Sequence, residues 1–139
     1  MKEVNLTKLD NRGVTAARGY KAAGIACGIK RDKKDLALIY SEYDAVAAAV
    51  FTNNQVKAAP VNLCRNHLEN PIRAIVINSG NANACTGDKG MRDAHVMAAN
   101  TGGALGVEDG QVMVCSTGVI GEPMPMNIIN KGLAAIVHV

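Results

Sequence analysis

Short apolar runs alternate along the chain with polar, glycine-bearing links. Leu36-Ala37-Leu38-Ile39-Tyr40, Ala74-Ile75-Val76-Ile77 and Val112-Met113-Val114-Cys115 have the length and branched side chains of strands. The run 74–77 predicts a strand covered on both faces. Ala45 to Phe51 is a further strand candidate, although Ala47-Ala48-Ala49 suits a helix equally well. Its short polar link to 36–40 predicts an antiparallel hairpin. Another strand is expected near Ile25–Ile29, ahead of a charged turn over 30–34. Helical patterns lie between these runs. One covers Ala58–Leu68, with Pro60 in its first turn and a break at Asn70-Pro71. A second runs from Met91 through Ala94, Ala98 and Leu105 to a stop at Gly106, and a third from Asn127 to about Val137. Gly102-Gly103 weakens the second helix by roughly 1 kcal/mol per glycine relative to alanine. Residues 1 to about 13 read as a polar opening arm. Ile136-Val137-His138-Val139 leaves an apolar end that another element is expected to cover.

One unit therefore occurs twice: apolar strand, polar glycine-rich turn, helix. The turns are Asn78-Ser79-Gly80-Asn81-Ala82-Asn83-Ala84-Cys85-Thr86-Gly87 and Ser116-Thr117-Gly118-Val119-Ile120-Gly121. Strands feeding helices predict a layered α/β (α+β) arrangement, and ligands in such folds favour the carboxyl ends of strands. Directly after Cys115 the pattern predicts a tight turn. Gly118 and Gly121 there can take positive φ or let a ligand approach the backbone. Unpaired N–H groups beside a helix start suit a phosphate, a carboxylate or a developing oxyanion. The Asn and Ser side chains of 78–87 can equally serve their own backbone.

Composition narrows the partners. Hydrophobic residues make up 48% of the chain, yet there is one Phe and no Trp, so no aromatic platform for single-stranded nucleic acid is built. The net charge of +3 is mild, and the one basic run, Lys30-Arg31-Asp32-Lys33-Lys34, is interrupted by an acid and reads as a solvated turn. Cys27, Cys64, Cys85 and Cys115 form no C-x-x-C pair, and Cys85 and Cys115 read as buried structural thiols. His67, His95 and His138 lack metal-ligand spacing with Cys or carboxylates, which leaves no metal site; His95 is expected to be partly buried on its helix. No long apolar run and no apolar leader are present, so a cytoplasmic location without a membrane partner is the expectation.

Val76-Ile77-Asn78-Ser79-Gly80-Asn81-Ala82-Asn83-Ala84-Cys85-Thr86-Gly87 and Ser116-Thr117-Gly118-Val119-Ile120-Gly121, with Pro125-Met126, resemble the bifunctional ornithine acetyltransferase / N-acetylglutamate synthase (ArgJ) family of arginine biosynthesis. Ala22-Ala23-Gly24-Ile25, Asp35–Ile39, Val50-Phe51-Thr52-Asn53-Asn54 and Ala58-Ala59-Pro60-Val61 look like its first segment, whereas Lys131 to Val139 matches it poorly. The resemblance implies an ArgJ/DmpA-like fold, sheets sandwiched between helices, of which residues 1–139 are a single-domain, incomplete portion from the α-chain. It implies a self-cleaving precursor whose second, β subunit begins with a nucleophilic Thr, and an assembly of two α and two β chains. That Thr would pass acetyl from N2-acetylornithine to glutamate by a ping-pong route. No cofactor is implied, with acetyl-CoA as an alternative acetyl donor. Thr117 and Gly118 correspond to the oxyanion hole, and Asn78, Gly80, Asn81 and Asn83 are candidates for shaping its pocket. Thr7, Thr15, Thr52, Thr86, Thr101 and Thr117 all lack the Gly-hydrophobic-Ala-Thr-Met context of the nucleophile. Two alternatives stay open: an anion- or nucleotide-binding domain, and an inactive fragment that docks a partner subunit.

Overall fold

A computed structural model of the chain describes Thr7, Lys8, Asp10 and residues 13–138; most of the opening arm, and Val139, lie outside the described residues. Four strands, β1 (Tyr20–Ile25), β2 (Leu36–Ala45), β3 (Ile72–Asn81) and β4 (Val112–Val119), form one sheet in the order β1-β2-β3-β4. The first two pairings are antiparallel and β3–β4 is parallel. A parallel pair needs a long crossover, which is supplied by helix α2 (Gly87–Leu105). Helices α1 (Ala59–His67) and α3 (Met126–Ile136) each pack against α2.

Strand alternation sends Leu36, Leu38, Ala74, Val76, Val112 and Val114 to one face. There they meet Leu63 of α1, Met97 and Ala98 of α2, and Ile129, Leu133 and Ile136 of α3 in a single core. The layered α/β expectation holds, with one sheet and one helical layer among the described residues. Ile75 and Ile77 look the other way and stay half-buried, so β3 is not covered on both faces among the described residues.

Two other expectations are corrected. The strand expected near Ile25–Ile29 ends at Ile25, and 26–30 turns around Asp35 instead. The hairpin of 36–40 with 45–51 does not form: β2 runs through the polar link to Ala45 and lies between β1 and β3. Residues 46–51 are outside any strand, with Val46 and Val50 about fully exposed at 102% and 99%. A strand forms where a neighbouring backbone offers hydrogen bonds, and β1 already occupies that edge of β2. Gly102 also gains a reason. Val107 N–H returns to its carbonyl, and a Cβ there would come within 2.8 Å of the Val107 oxygen, so the chain can fold back only over glycine. Among the described residues no helix is long and apolar enough to cross a membrane.

Candidate active site

Strand direction brings three segments to one end of the sheet. The parallel strands β3 and β4 finish side by side there. Ile25, Leu36, Asn78 and Ser116 are successive partners across the sheet, so the 26–35 turn between β1 and β2 lies at the same end. Pairing does not stop where the apolar runs stop. Ser79 faces Thr117 and Gly80 faces Gly118, and a bulge sets Asn81 against both Thr117 and Val119. The tight turn expected directly after Cys115 therefore comes only beyond Val119. Backbone pairing is indifferent to side-chain polarity, and the polar end of β3 supplies the partner.

The bulge explains the glycines. Gly80 and Gly118 have φ of +121° and +136°. A Cβ on Gly118 would overlap the Gly80 carbonyl carbon and stand 2.5 Å from the Asn81 nitrogen. Glycine at 118 therefore permits two backbones to touch. Thr117 and Gly118 are exposed, and alternation puts Thr117 and Ser79 on the face without helices.

Asn78, Asn81 and Asn83 are buried at 0%, 5% and 0% exposure and are occupied in holding this shape. Asn78 Nδ2 donates to the Asn81 carbonyl, and Asn81 Nδ2 to the carbonyls of Glu122 and Pro123 at 3.0 and 3.1 Å. Asn81 Oδ1 accepts from Asn83 N–H, and Asn83 Nδ2 donates to Gly90 at the start of α2. Ala82 N–H and Gly121 N–H close the two loops onto each other through Val119 and Ala84 carbonyls. The asparagines thus tie β3, the turn after β4 and the first turn of α2 together from beneath. Asn78 Oδ1 and Ser116 Oγ, a register pair, are buried without hydrogen-bond partners among the described residues.

Asp35, absent from the sequence-based candidates, is 3% exposed. Its carboxylate accepts from the N–H groups of Cys27, Gly28 and Lys30 at 2.7, 3.1 and 2.8 Å. Burial alone pushes this carboxyl up; the backbone donors outweigh burial and hold it down at about 2. Because the folded value lies below the unfolded one, its stabilisation is complete above about pH 4 and fades as pH falls toward 2. Asp35→Asn in the full-length protein is expected to cost about 2 kcal/mol at pH 7. The gap from wild type should shrink below pH 4, which urea unfolding at pH 7, 4 and 3 would read. Its sequence signals are an acid closing a charged run just before an apolar strand and its place in the Asp35–Ile39 stretch that resembles the family. Arg31 to Lys34 are exposed, as expected of a solvated turn, but Lys30 is half-buried with its Nζ donating to Ser79 Oγ at 2.8 Å.

The thiols and imidazoles are placed differently from expectation. Cys85 and Cys115 are exposed, Cys85 in a turn with φ +57° and Cys115 on the helix-free face. Cys64 is the buried thiol, pushed up by burial, and Cys27 is raised to about 11 by burial and by its bond to Asp35. Neither of these two is poised as a thiolate. His95 is exposed, whereas His67 is buried with Nδ1 2.8 Å from the Val112 carbonyl oxygen. Among the described residues no group of three or more His, Cys, Asp or Glu could hold a metal.

The chain is 44% identical over 139 residues to the arginine biosynthesis bifunctional protein ArgJ of Bacillus thuringiensis subsp. konkukian, covering 99% of this chain and 34% of that protein. It is 56% identical over 117 residues to the ArgJ protein of Caldanaerobacter subterraneus subsp. tengcongensis, covering 84% of this chain and 29% of that one. The chain thus spans about a third of the length of the curated relatives it matches. The crystal structure of ArgJ from Bacillus halodurans superimposes with a TM-score of 0.91 at 43% identity, covering 94% of this chain and 70% of that one. The ornithine acetyltransferase of Mycobacterium tuberculosis, solved with ornithine, gives 0.90 at 46% identity, covering 94% and 72%. The ArgJ family model matches residues 21–139, so the segment from Lys131 that looked divergent is included. With the close-packed Gly80–Gly118 bulge and both polar strand ends in place, the match across most of the chain makes this protein a member of the ArgJ family.

Proposed function

We propose that this chain is the α-chain portion of a glutamate N-acetyltransferase of arginine biosynthesis, working in the cytoplasm. It would move acetyl from N2-acetylornithine to glutamate. The observation that carries the reading is the 46% identity and 0.90 TM-score to an ornithine acetyltransferase solved with ornithine. The nucleophile is read as the N-terminal Thr of a second subunit cut from the same precursor. Its hydroxyl oxygen attacks the acetyl carbonyl carbon, and the C=O electron pair moves to oxygen. Collapse breaks the C–N bond, the proton given up by the Thr hydroxyl passes to the leaving nitrogen, and ornithine departs, leaving an acetyl ester. The neutral amine of glutamate then attacks that ester, the C–O bond to Thr breaks, and the proton lost by the amine returns to the Thr oxygen, restoring the nucleophile. Each of the two attacks places negative charge on the acyl oxygen, where Thr117 and the Gly118 N–H are read as donors. A resident cofactor is not needed for these steps; acetyl-CoA would enter as a second acetyl donor.

The half-buried face carrying Ile39, Ile75 and Ile77, with exposed Val46 lining the same groove as Ile39 and Ile75, supports a partner layer from the rest of such a precursor. An assembly of two α and two β chains is inferred with it. Gly118 serves backbone contact and Gly80 the close packing of Ile29 and Lys30, which weighs against a phosphate cradle. Expression of the complete gene region, with intact mass and N-terminal sequencing, tests the reading. A second polypeptide beginning with Thr, and transfer from N2-acetylornithine to glutamate, are the expected results. A stable uncut product without transfer activity overturns it in favour of a docking fragment.

A further inference from the structure

The oxyanion reading of Thr117 and Gly118 leaves Ser79, Lys30 and Asp35 unexplained, although they are assembled at the same end of the sheet. Ser79 is the register partner of Thr117, on the same face and one strand spacing away, about 4.8 Å between strands. Its hydroxyl accepts from Lys30 Nζ at 2.8 Å, and a hydroxyl that accepts keeps its own proton to donate. Among the described residues Lys30 forms no ion pair, so its charge is not neutralised by a neighbouring carboxylate. The position of Lys30 is over-determined. Its backbone N–H is held by Asp35. Ile29 and Lys30 also pack directly on Gly80, where an added Cβ would come within 2.6 Å of Ile29 Cγ2 and 3.1 Å of Lys30 Cγ. A further link fixes the strand end, since Ser79 N–H donates to the Asp35 carbonyl at 2.8 Å.

We propose that Ser79 is a further catalytic residue: its hydroxyl, oriented and polarised by the Lys30 ammonium, donates a third hydrogen bond to the acyl oxygen beside Thr117 and Gly118. Lys30 and Asp35 are its positioning residues. The ammonium draws electron density from the hydroxyl oxygen and makes its proton a stronger donor, and fixed donors act most where charge develops. The proposal rests on the oxyanion reading, and it assigns Lys30 and Asp35 of the 26–35 turn to the site while Arg31 to Lys34 stay solvated.

Kinetics of the self-processed full-length enzyme test it. Ser79→Ala and Lys30→Met are each expected to lower kcat at least about 10-fold while KM for N2-acetylornithine and glutamate moves less than about 3-fold, the pattern of a bond made only in the transition state. Lys30→Arg should restore most of the loss. The double variant should be no slower than Ser79→Ala, because the two residues act as one unit. Melting temperatures report folding, and Ser79→Cys serves if the alanine variant is unstable. Unchanged kcat in both single variants overturns the proposal, as do losses that multiply in the double variant or that fall on KM. Thr117→Ala run alongside separates the two ideas. If Thr117→Ala is slow while Ser79→Ala and Lys30→Met are not, only the Ser79 assignment fails; if Thr117→Ala is unaffected, the oxyanion reading itself fails.

Discussion

Thr117→Ala in the full-length enzyme should, on the oxyanion role proposed for it, lose roughly 10²–10³ in kcat for acetyl transfer, the usual consequence of removing one such donor. The fold should survive, because Thr117 is not part of the hydrophobic core and its shortening leaves no cavity there. A change in melting temperature of a degree or two at most is expected, since surface substitutions are usually within about 0.5 kcal/mol. Thr117→Ser keeps a hydroxyl on the same backbone and should stay within a few-fold of wild type. Steady-state rates with N2-acetylornithine and glutamate, beside a thermal melt, read both quantities. Undiminished turnover in Thr117→Ala would remove this residue from the reaction.

Gly118→Ala is expected to act the opposite way, chiefly on the fold. At φ +136° an L side chain is strained before any contact is considered. The added methyl would also overlap the Gly80 carbonyl carbon across the sheet. The far side of that contact is backbone, and Gly80 is itself backed by Ile29 and Lys30, so nothing flexible can give way. The combined penalty is about 3–5 kcal/mol. Urea unfolding of the full-length protein should show that loss, and what remains folded should have little transfer activity. Stability within 1 kcal/mol of wild type would mean that β3 and β4 can part at the bulge, and the close-approach account would be wrong.

The two variants differ although the residues are adjacent, and sequence-level reasoning could not separate them. It placed both in a turn after Cys115. In the structure both are still strand residues, with the side chain at 117 turned to an open face and the α-carbon at 118 pressed against a neighbour. The same limit explains the hairpin that did not form. Residues 45–51 have the apolar content of a strand, but β1 filled the edge beside β2, and β1 itself is weakly patterned. Elements whose identity depends on their own periodicity were legible. The three helices appear within a few residues of expectation at Ala59–His67, Gly87–Leu105 and Met126–Ile136, and Gly106 stops the second in the left-handed region at φ +69°. The main shift is at the start of α2. It begins at Gly87 rather than near Met91: Gly90 N–H bonds the Thr86 carbonyl and Asn83 Nδ2 donates to the Gly90 carbonyl, so the turn ahead of Met91 is already helical.

The sequence by itself determined the layered class, the three helices, the central apolar strands and the two polar glycine motifs that mark the family. These follow from local period, turn chemistry and the order of residues along the chain. Tertiary structure alone decided that Ser79 stands beside Thr117, that Gly80 meets Gly118, and that a buried Asp35 gathers a turn over both. Those relations join residues tens of positions apart. They are set by strand register and by which backbone groups remain to be satisfied, and neither leaves a periodic trace in the chain.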